Sequence, residues 1–317
     1  MMIADLTFMS ATCILNQVGK RRQTISPTLN VNDAKLMFSI ITGDCKDVLS
    51  NYGENFFHSC ITDPPYGMGM DHWDYAVPGV DIWREVFRTL RPGAFCLSFC
   101  SPELYHRLAC NIEDAGFTIK DQIMWMTTTK MPKHNRLKPA HEPIVVAQKP
   151  YSGTLKDNFE RWGCGLIDTE NTRVPWDKKP PTGWVAQGAK RRTFGREGKT
   201  TGTQQEFGTV DANPAGRYPS NIIGDVQPEH QKYFYAPRAT RKEKGEDNDH
   251  PTVKPVSLME YLIKIYSPVN STVLDPFCGS GSTGAAALNL EREFVGIDLE
   301  DHYCQIATNR LQSVRGA

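Results

Sequence analysis

"STVLDPFCGSGSTGAAALNLEREFVGIDLE", residues 271 to 300, decides the fold. "STVLDPF" is a short apolar run that breaks at a proline and a cluster of small residues. "GSTGAAALNL" has helical composition, and "REFVGIDL" returns to a buried apolar run. Strand, glycine turn, helix and strand in about 30 residues make a β-α-β unit, which joins two parallel strands. The segment "EDHYCQIATNRLQSV" then reads as a further helix.

The same rhythm runs upstream. "LMFSIITGD" and "FFHSCITD" read as strands separated by a short helix, "CKDVLSNYG". "VDIWREVFRTLRPG" spaces Ile82, Val86, Phe87 and Leu90 on one helical face and is expected to stop at Pro92-Gly93. "AFCLSFC" is a strand, "PELYHRLACNIEDAG" a helix ended by Gly116, and "FTIKDQIMWMT" and "HEPIVVAQK" two more strands. This alternation gives the fold class as α/β, a doubly wound and mostly parallel sheet. The rhythm breaks between residues 150 and 249, which are rich in Gly, Pro, Thr and charge, with short apolar runs such as "NII" and "KYFYA". A structureless loop of that length is implausible inside a compact domain, so this stretch is expected to be an inserted region. Residues 1 to about 35 lack periodicity and read as a loose N-terminal extension, a candidate for disorder. The remainder divides into halves at 36–149 and 250–317.

Composition narrows the class. The chain has 317 residues, 39% of them hydrophobic, enough for one sizeable core. No apolar run approaches the ~20 residues of a membrane span, and residues 1–23 lack the basic-then-apolar order expected of a secretory signal, their basic cluster following the apolar part. The nine cysteines are scattered and form no C-x-x-C pair. A disulfide framework or a metal site is therefore not expected, and a cytoplasmic setting suits the chain. Net charge is zero, so a nucleic-acid surface would have to be local.

Gly279, Gly281 and Gly284 fit G-x-G-x-x-G, and Asp298 ends the next strand nineteen residues after the first glycine. Taken alone, this fits a dinucleotide site with the acid on a ribose hydroxyl. Asp275 before the glycines weighs against a pyrophosphate and suits an ammonium. S-adenosylmethionine, with an ammonium, a sulfonium and a ribose but no phosphate, is the favoured ligand. A dinucleotide and a purely structural turn stay open on these residues.

A second strand ends in "DPPY", residues 63 to 66. Combined with "DPFCGSG" at 275–281 and "HPTVKP" at 250–255, it resembles the class β DNA amino-methyltransferases, the N6-adenine and N4-cytosine family, with the catalytic motif early and the cofactor loop late. "KHNRLKPAHEPIVVAQK", "GRYPSNII" and "YFYAPRATRKEK" resemble adenine methylases of phages and their hosts. The resemblance covers about residues 36 to 314. It implies a circularly permuted, Rossmann-like sheet of the seven-stranded type, with residues 150–249 as the target-recognition region. S-adenosylmethionine is the implied cofactor and double-stranded DNA the implied partner, in a bacterial or phage-infected cell. Monomer or homodimer, and a restriction endonuclease partner, are left open.

The implied chemistry explains the motif. An aromatic amine is a weak nucleophile because its lone pair is delocalised. Asp63 and the Pro64 carbonyl would accept its two hydrogens, Pro65 would keep the turn stiff, and Tyr66 would stack on a flipped base. By the same resemblance Asp44 would contact the cofactor's adenine, against a plain helix N-cap. Thr252 and Lys254 would lie beside the methionine moiety, against an ordinary loop before a helix, and Phe277 would line the pocket, against a plain core residue. Glu142 reads as structural, holding the floor of the site. Asp275 and Asp63 lie 212 residues apart; if their strands are neighbours, donor and acceptor share one crevice. Asp in the first motif position resembles the adenine group. Cytosine N4 is the alternative target, and an inactive DNA-binding module or transfer to RNA or protein are the remaining readings.

For DNA, "KMPKHNRLK" carries Lys133 and Arg136 among its cations and has no acid. Residues 177–217 hold eight cations, Lys190, Arg191, Arg192 and Arg196 among them, against four acids. These are the expected phosphate contacts. Trp176, Trp184 and Phe194 could stack on bases or pack in a core.

Overall fold

The computed structural model describes residues 37–69, 74–127, 139–175, 183–186, 207–210, 213–224, 239, 248–250 and 252–316. In chain order the first half runs β1 (Phe38–Thr42), α1 (Cys45–Leu49), β2 (Phe57–Thr62), α2 (Val80–Thr89), β3 (Leu90–Phe99), α3 (Tyr105–Asp114), β4 (Thr118–Met126) and β5 (His141–Gln148). There follow α4 (Leu155–Trp162), β6 (Gly183–Ala186), β7 (Phe207–Val210) and β8 (Ile222–Gly224). The chain continues with α5 (Val256–Tyr266), β9 (Thr272–Asp275), α6 (Ser282–Asn289), β10 (Glu293–Asp298) and α7 (Asp301–Gly316). Among the described residues no helix is long and apolar enough to cross a membrane.

Eight strands form one sheet in the order β1-β10-β9-β2-β3-β5-β4-β8, and β6 and β7 pair separately. Every neighbouring pair in the large sheet is parallel except those of β5, which runs antiparallel to β3 and to β4. The expected doubly wound, mostly parallel sheet is therefore present. Side chains alternate between two cores, as the two-residue period of a strand requires. Ile61, Phe95, Leu97, Ile144, Val146, Val273 and Phe294 face α5, α6 and α7. Cys60, Cys96, Val145, Ala147, Leu274, Val295 and Ile297 face the layer holding Trp83, Val86, Leu108 and Ile112 of α2 and α3. Strands buried on both faces read as continuous apolar runs, which is why "AFCLSFC" and "PIVVA" show no polar face.

Two sequence expectations change, and one helix went unread. Pro92-Gly93 does not stop α2, which ends at Thr89, while Leu90 already belongs to β3. The pair sits inside β3, where the register with β2 shifts between Phe57 and Ser59. Proline and glycine within a strand mark such an irregularity. Gly93 has φ +83°, and a Cβ there would lie 2.3 Å from the Asn158 amide nitrogen of α4. Second, "NII" in the expected insertion leads into β8, which pairs with β4 through Met124↔Ile222 and Trp125↔Ile223, so that this piece joins the main sheet. The unread helix is α5, "VSLMEYLIKIY", whose apolar residues surround it on most sides, with Leu258, Leu262 and Ile263 fully buried. The N-terminal extension lies outside the described residues.

β9 and β2 are hydrogen-bonded neighbours through Ser59↔Val273 and Cys60↔Leu274. From β9 the chain winds outward through β10 toward β1; from β2 it winds the other way into β3. The crevice beyond the carboxyl ends of β9 and β2 is thus the topological switch point, where open α/β sheets bind ligands.

Candidate active site

Asp275 closes β9 and lies at that switch point. Its Oδ1 accepts from Thr62 Oγ1 of β2 at 2.7 Å and from the Phe277 N–H at 3.1 Å. Its Oδ2 accepts from Thr283 Oγ1 of α6 at 2.6 Å. One carboxylate therefore fastens two strand ends and the first turn of a helix. The glycine loop is secured in the same way. Gly279 N–H donates to Asp298 Oδ2 at 2.7 Å, and Cys278 N–H to the Ile297 carbonyl at 2.9 Å. Gly279 and Gly281 have φ of +47° and +78°, left-handed values that glycine adopts without cost. At Gly284 a Cβ would meet the Phe294 ring at 2.7 Å, so this third glycine lets α6 close on β10.

Burial raises the Asp275 carboxyl to about 6, with the Thr283, Thr62 and Phe277 donors opposing the rise. A carboxyl whose folded pKa exceeds its unfolded value binds its proton more tightly in the native state. Its stabilising contribution is therefore full below the unfolded pKa and is lost as pH rises through the folded one. Asp275→Asn carries no such term. Between about pH 4 and pH 7 the melting temperature of the wild type should fall relative to that of Asp275→Asn. A constant difference across the range, read by scanning fluorimetry, would show that Asp275 titrates as an ordinary exposed acid.

Asp63 follows β2. Lys254 Nζ forms an ion pair with its Oδ2, and the Tyr66 hydroxyl donates to its Oδ1 at 2.6 Å. Burial and the nearby Glu142 carboxylate raise the Asp63 pKa, while Lys254 and Tyr66 oppose the rise. The Tyr66 phenol is pushed well above its usual range, chiefly by burial and then by Asp63 and Glu142. After Tyr66 the chain is folded around Asp74, whose Oδ1 and Oδ2 accept from the Gly67 and Met68 N–H groups at 2.7 and 3.2 Å.

A single cavity of about 590 Å³ joins these parts, a size suited to a small-molecule ligand. It is lined by Asp63, Pro64, Pro65 and Tyr66 and by Asp44, Thr252, Lys254, Asp275, Phe277, Gly279 and Asp298. Gly281 stands just behind, as the residue capping α6 and packed on Ala307. Asp44 is both a wall of the cavity and the N-cap of α1, accepting from the Lys46 N–H at 2.9 Å. Lys254 is paired with Asp63. Lys133, Arg136, Lys190, Arg191, Arg192 and Arg196, with Trp176 and Phe194, lie outside the described residues.

Other lining residues were not singled out in the sequence, although His250 opens the "HPTVKP" motif. Tyr75 lines the cavity and is 85% exposed. His250 is packed on Gly279 and makes an edge contact with Tyr303 at 4.5 Å. The pairing of Thr283 with Asp275 crosses a turn whose shape composition does not reveal.

The wall chemistry tests the cofactor. Among the described lining residues seven carboxylates face two lysines, and both lysines are already paired, Lys46 with Asp81 and Lys254 with Asp63. A pyrophosphate would be repelled there. A sulfonium, an ammonium and a ribose diol fit, so the residues suit S-adenosylmethionine and the dinucleotide alternative falls.

Comparison with known proteins agrees. A Type II methyltransferase of Haemophilus influenzae, M.HindIII, is 26% identical, over 81% of this chain and 89% of its own. The structure of the M1.HpyAVI–SAM complex superposes with a TM-score of 0.51 at 24% identity, covering 87% of this chain and 99% of that one. The cytosine-N4-specific PvuII DNA methyltransferase gives 0.53 at 13% identity, covering 89% and 92%. These two likenesses show a common fold. The N6/N4 DNA methylase family model matches residues 57–309, a span that holds both strand-end motifs and most of the switch-point crevice, Asp44 on α1 lying before it. The chain belongs to the N6/N4 DNA methylase family and is an S-adenosylmethionine-dependent DNA methyltransferase.

Proposed function

We propose that the enzyme methylates the N6 amine of an adenine flipped out of double-stranded DNA. The observation that supports this reading best is the meeting of Asp63 and the glycine loop in one cavity at the β9–β2 switch point. The aspartate in the first position of D-P-P-Y favours adenine over cytosine.

Bound S-adenosylmethionine supplies an electrophilic methyl group on a sulfonium, which departs as a neutral thioether. In this reading the side chain of Asp63 accepts one amino hydrogen and the Pro64 carbonyl the other. The amine nitrogen then pyramidalises and its lone pair turns toward the methyl. Pro64 and Pro65 carry no N–H and hold φ fixed, so the turn keeps its acceptors in place. Tyr66 offers its ring face to the base. As the N–C bond forms, the nitrogen becomes cationic and must lose a proton. The Asp63 carboxylate, made more basic by burial and by Glu142, is placed to take it. Asp44, Thr252, Asp275, Phe277, Gly279, Gly281 and Asp298 are assigned to the cofactor. Residues 150–249 are assigned to target recognition, with the six named cations on phosphates.

Unmethylated DNA incubated with the enzyme and the cofactor, then digested to nucleosides, should give N6-methyladenine by mass spectrometry. N4-methylcytosine without N6-methyladenine would overturn the adenine reading while leaving the family intact.

A further inference from the structure

The two strands that carry the site part company before they reach it. β2 and β9 pair through Ser59↔Val273 and Cys60↔Leu274, and beyond these no backbone pair joins them among the described residues. Each keeps its outer neighbour longer. β2 stays paired with β3 as far as Thr62↔Ser98, and β9 with β10 as far as Gly296↔Asp275. A crevice at a switch point needs such a parting. It also means that the ladder does not set the width of the gap where Asp63 and the glycine loop begin.

Side chains span the gap. The Thr62 hydroxyl donates across it from β2 to Asp275 Oδ1 at 2.7 Å, and the Thr283 hydroxyl of α6 donates to Oδ2 at 2.6 Å. All three residues are buried, so water does not compete, and hydrogen bonds to an ionised carboxylate are roughly twice as strong as neutral ones. Thr62 directly precedes Asp63, and Thr283 lies in the first turn of the helix that follows the glycine loop. The clasp therefore runs from the chain neighbour of the acceptor acid to the support of the cofactor loop. The strand itself does not need a hydroxyl at 62, since valine suits a buried strand position equally well.

Methyl transfer is sensitive to this width. The reacting atoms must be held about 3–3.5 Å apart and aligned, and a misplacement of about 1 Å can cost about 10²-fold in rate. We propose that Thr62 is a positioning residue for methyl transfer, which through Asp275 sets the width of the crevice between the glycine loop and Asp63. The inference rests on the reading of Asp63 as the acceptor.

The Thr62 donor also bears on the charge of Asp275, and the test has to separate the two effects. Asp275 faces the Asp63 carboxylate and the buried thiols of Cys60 and Cys278, besides its three donors. Loss of the Thr62 donor favours the protonated form of Asp275. At about pH 8.5, well above the Asp275 value of about 6, the carboxylate stays charged.

Thr62→Val, Thr62→Ala and Thr62→Ser can be compared by single-turnover methyl transfer to unmethylated DNA at about pH 7 and about pH 8.5. Calorimetry gives the cofactor affinity, and thermal unfolding fixes an assay temperature below every transition. Thr62→Val should slow transfer about tenfold or more at both pH values, with cofactor affinity kept within about threefold. Thr62→Ser retains the donor and should recover most of the rate. If Thr62→Val does not fold, Thr62→Ala against Thr62→Ser puts the same question. A rate within about twofold of wild type in the variant without a hydroxyl overturns the proposal, and so does Thr62→Ser as slow as that variant. A deficit that disappears at the higher pH overturns it by assigning Thr62 to the charge of Asp275 alone. A loss of cofactor affinity in proportion to the loss of rate overturns it by placing Thr62 in the cofactor site. Asp63→Asn, assayed alongside, separates the two levels: if it is inactive, a failure above belongs to the clasp alone, whereas full activity would remove the acceptor reading itself.

Discussion

Asp63→Ala should lower methyl transfer by about 10³-fold or more while S-adenosylmethionine still binds. In the proposed mechanism Asp63 supplies an acceptor aimed at a charge that develops only in the transition state, and loss of one such group typically costs about 10²–10³ in kcat. Here the same carboxylate is also the proposed proton acceptor, so two contributions fall together. Cofactor binding should survive because the glycine loop is fastened independently, by Asp275 to Thr62 and Thr283 and by Asp298 to Gly279. Asp63→Ala also leaves the buried Lys254 ammonium with less compensation. Asp63→Asn, of similar volume, is the companion that separates lost chemistry from lost stability. Tritiated-methyl incorporation measures the chemistry, thermal unfolding the stability, and calorimetric titration the retained cofactor binding. Activity within tenfold of wild type in both variants would remove Asp63 from the mechanism.

The second large effect is expected at Gly281. This residue caps α6 at φ +78°, where a β-branched side chain costs ~1–3 kcal/mol. There is no room either. A Cβ would lie 3.0 Å from Ala307 Cβ and 3.2 Å from Ala307 Cα of α7. The second of these is backbone, so the strain cannot be relieved by a rotamer, and overpacking adds ~1–3 kcal/mol. Gly281→Val should lower the melting temperature by several degrees and weaken cofactor binding at least tenfold, since α6 carries the Thr283 bond to Asp275. Gly53→Ala is the control, because a Cβ there meets nothing within 4 Å; its stability should stay within about 0.5 kcal/mol of wild type. Equal melting curves for Gly281→Val and wild type would show that the loop tolerates another shape.

Much of the fold was legible because its signals are local. The β-α-β unit at 271–300 announces itself by apolar period and by glycines, and the doubly wound sheet follows from repeating it. Asp63 and Asp275 were legible as strand-end acids, and the pairing of β2 with β9 brings them together as the sheet rule requires. The direction of β5 was not legible. "PIVVA" is buried on both faces, so nothing in its alternation distinguishes parallel from antiparallel. Pro92-Gly93 misled because the same dipeptide can end a helix or bend a strand, and only Asn158 packing on Gly93 decides between them. Glu142 and Lys254 meet Asp63 from β5 and from the segment before α5, separations at which one sequence carries no pairing signal.

The β9–β2 pairing also fixes an order of events during synthesis. β2 leaves the ribosome early and β9 more than two hundred residues later, so through most of translation β2 lacks its native neighbour on that side. β1 waits longer still, for β10. A central strand without its partner has a row of unpaired N–H and C=O groups on one edge, and pairings of such long separation form slowly. The nascent chain therefore holds Asp63 before it has the glycine loop that faces it, and the crevice is complete only when the late β-α-β unit inserts between β1 and β2.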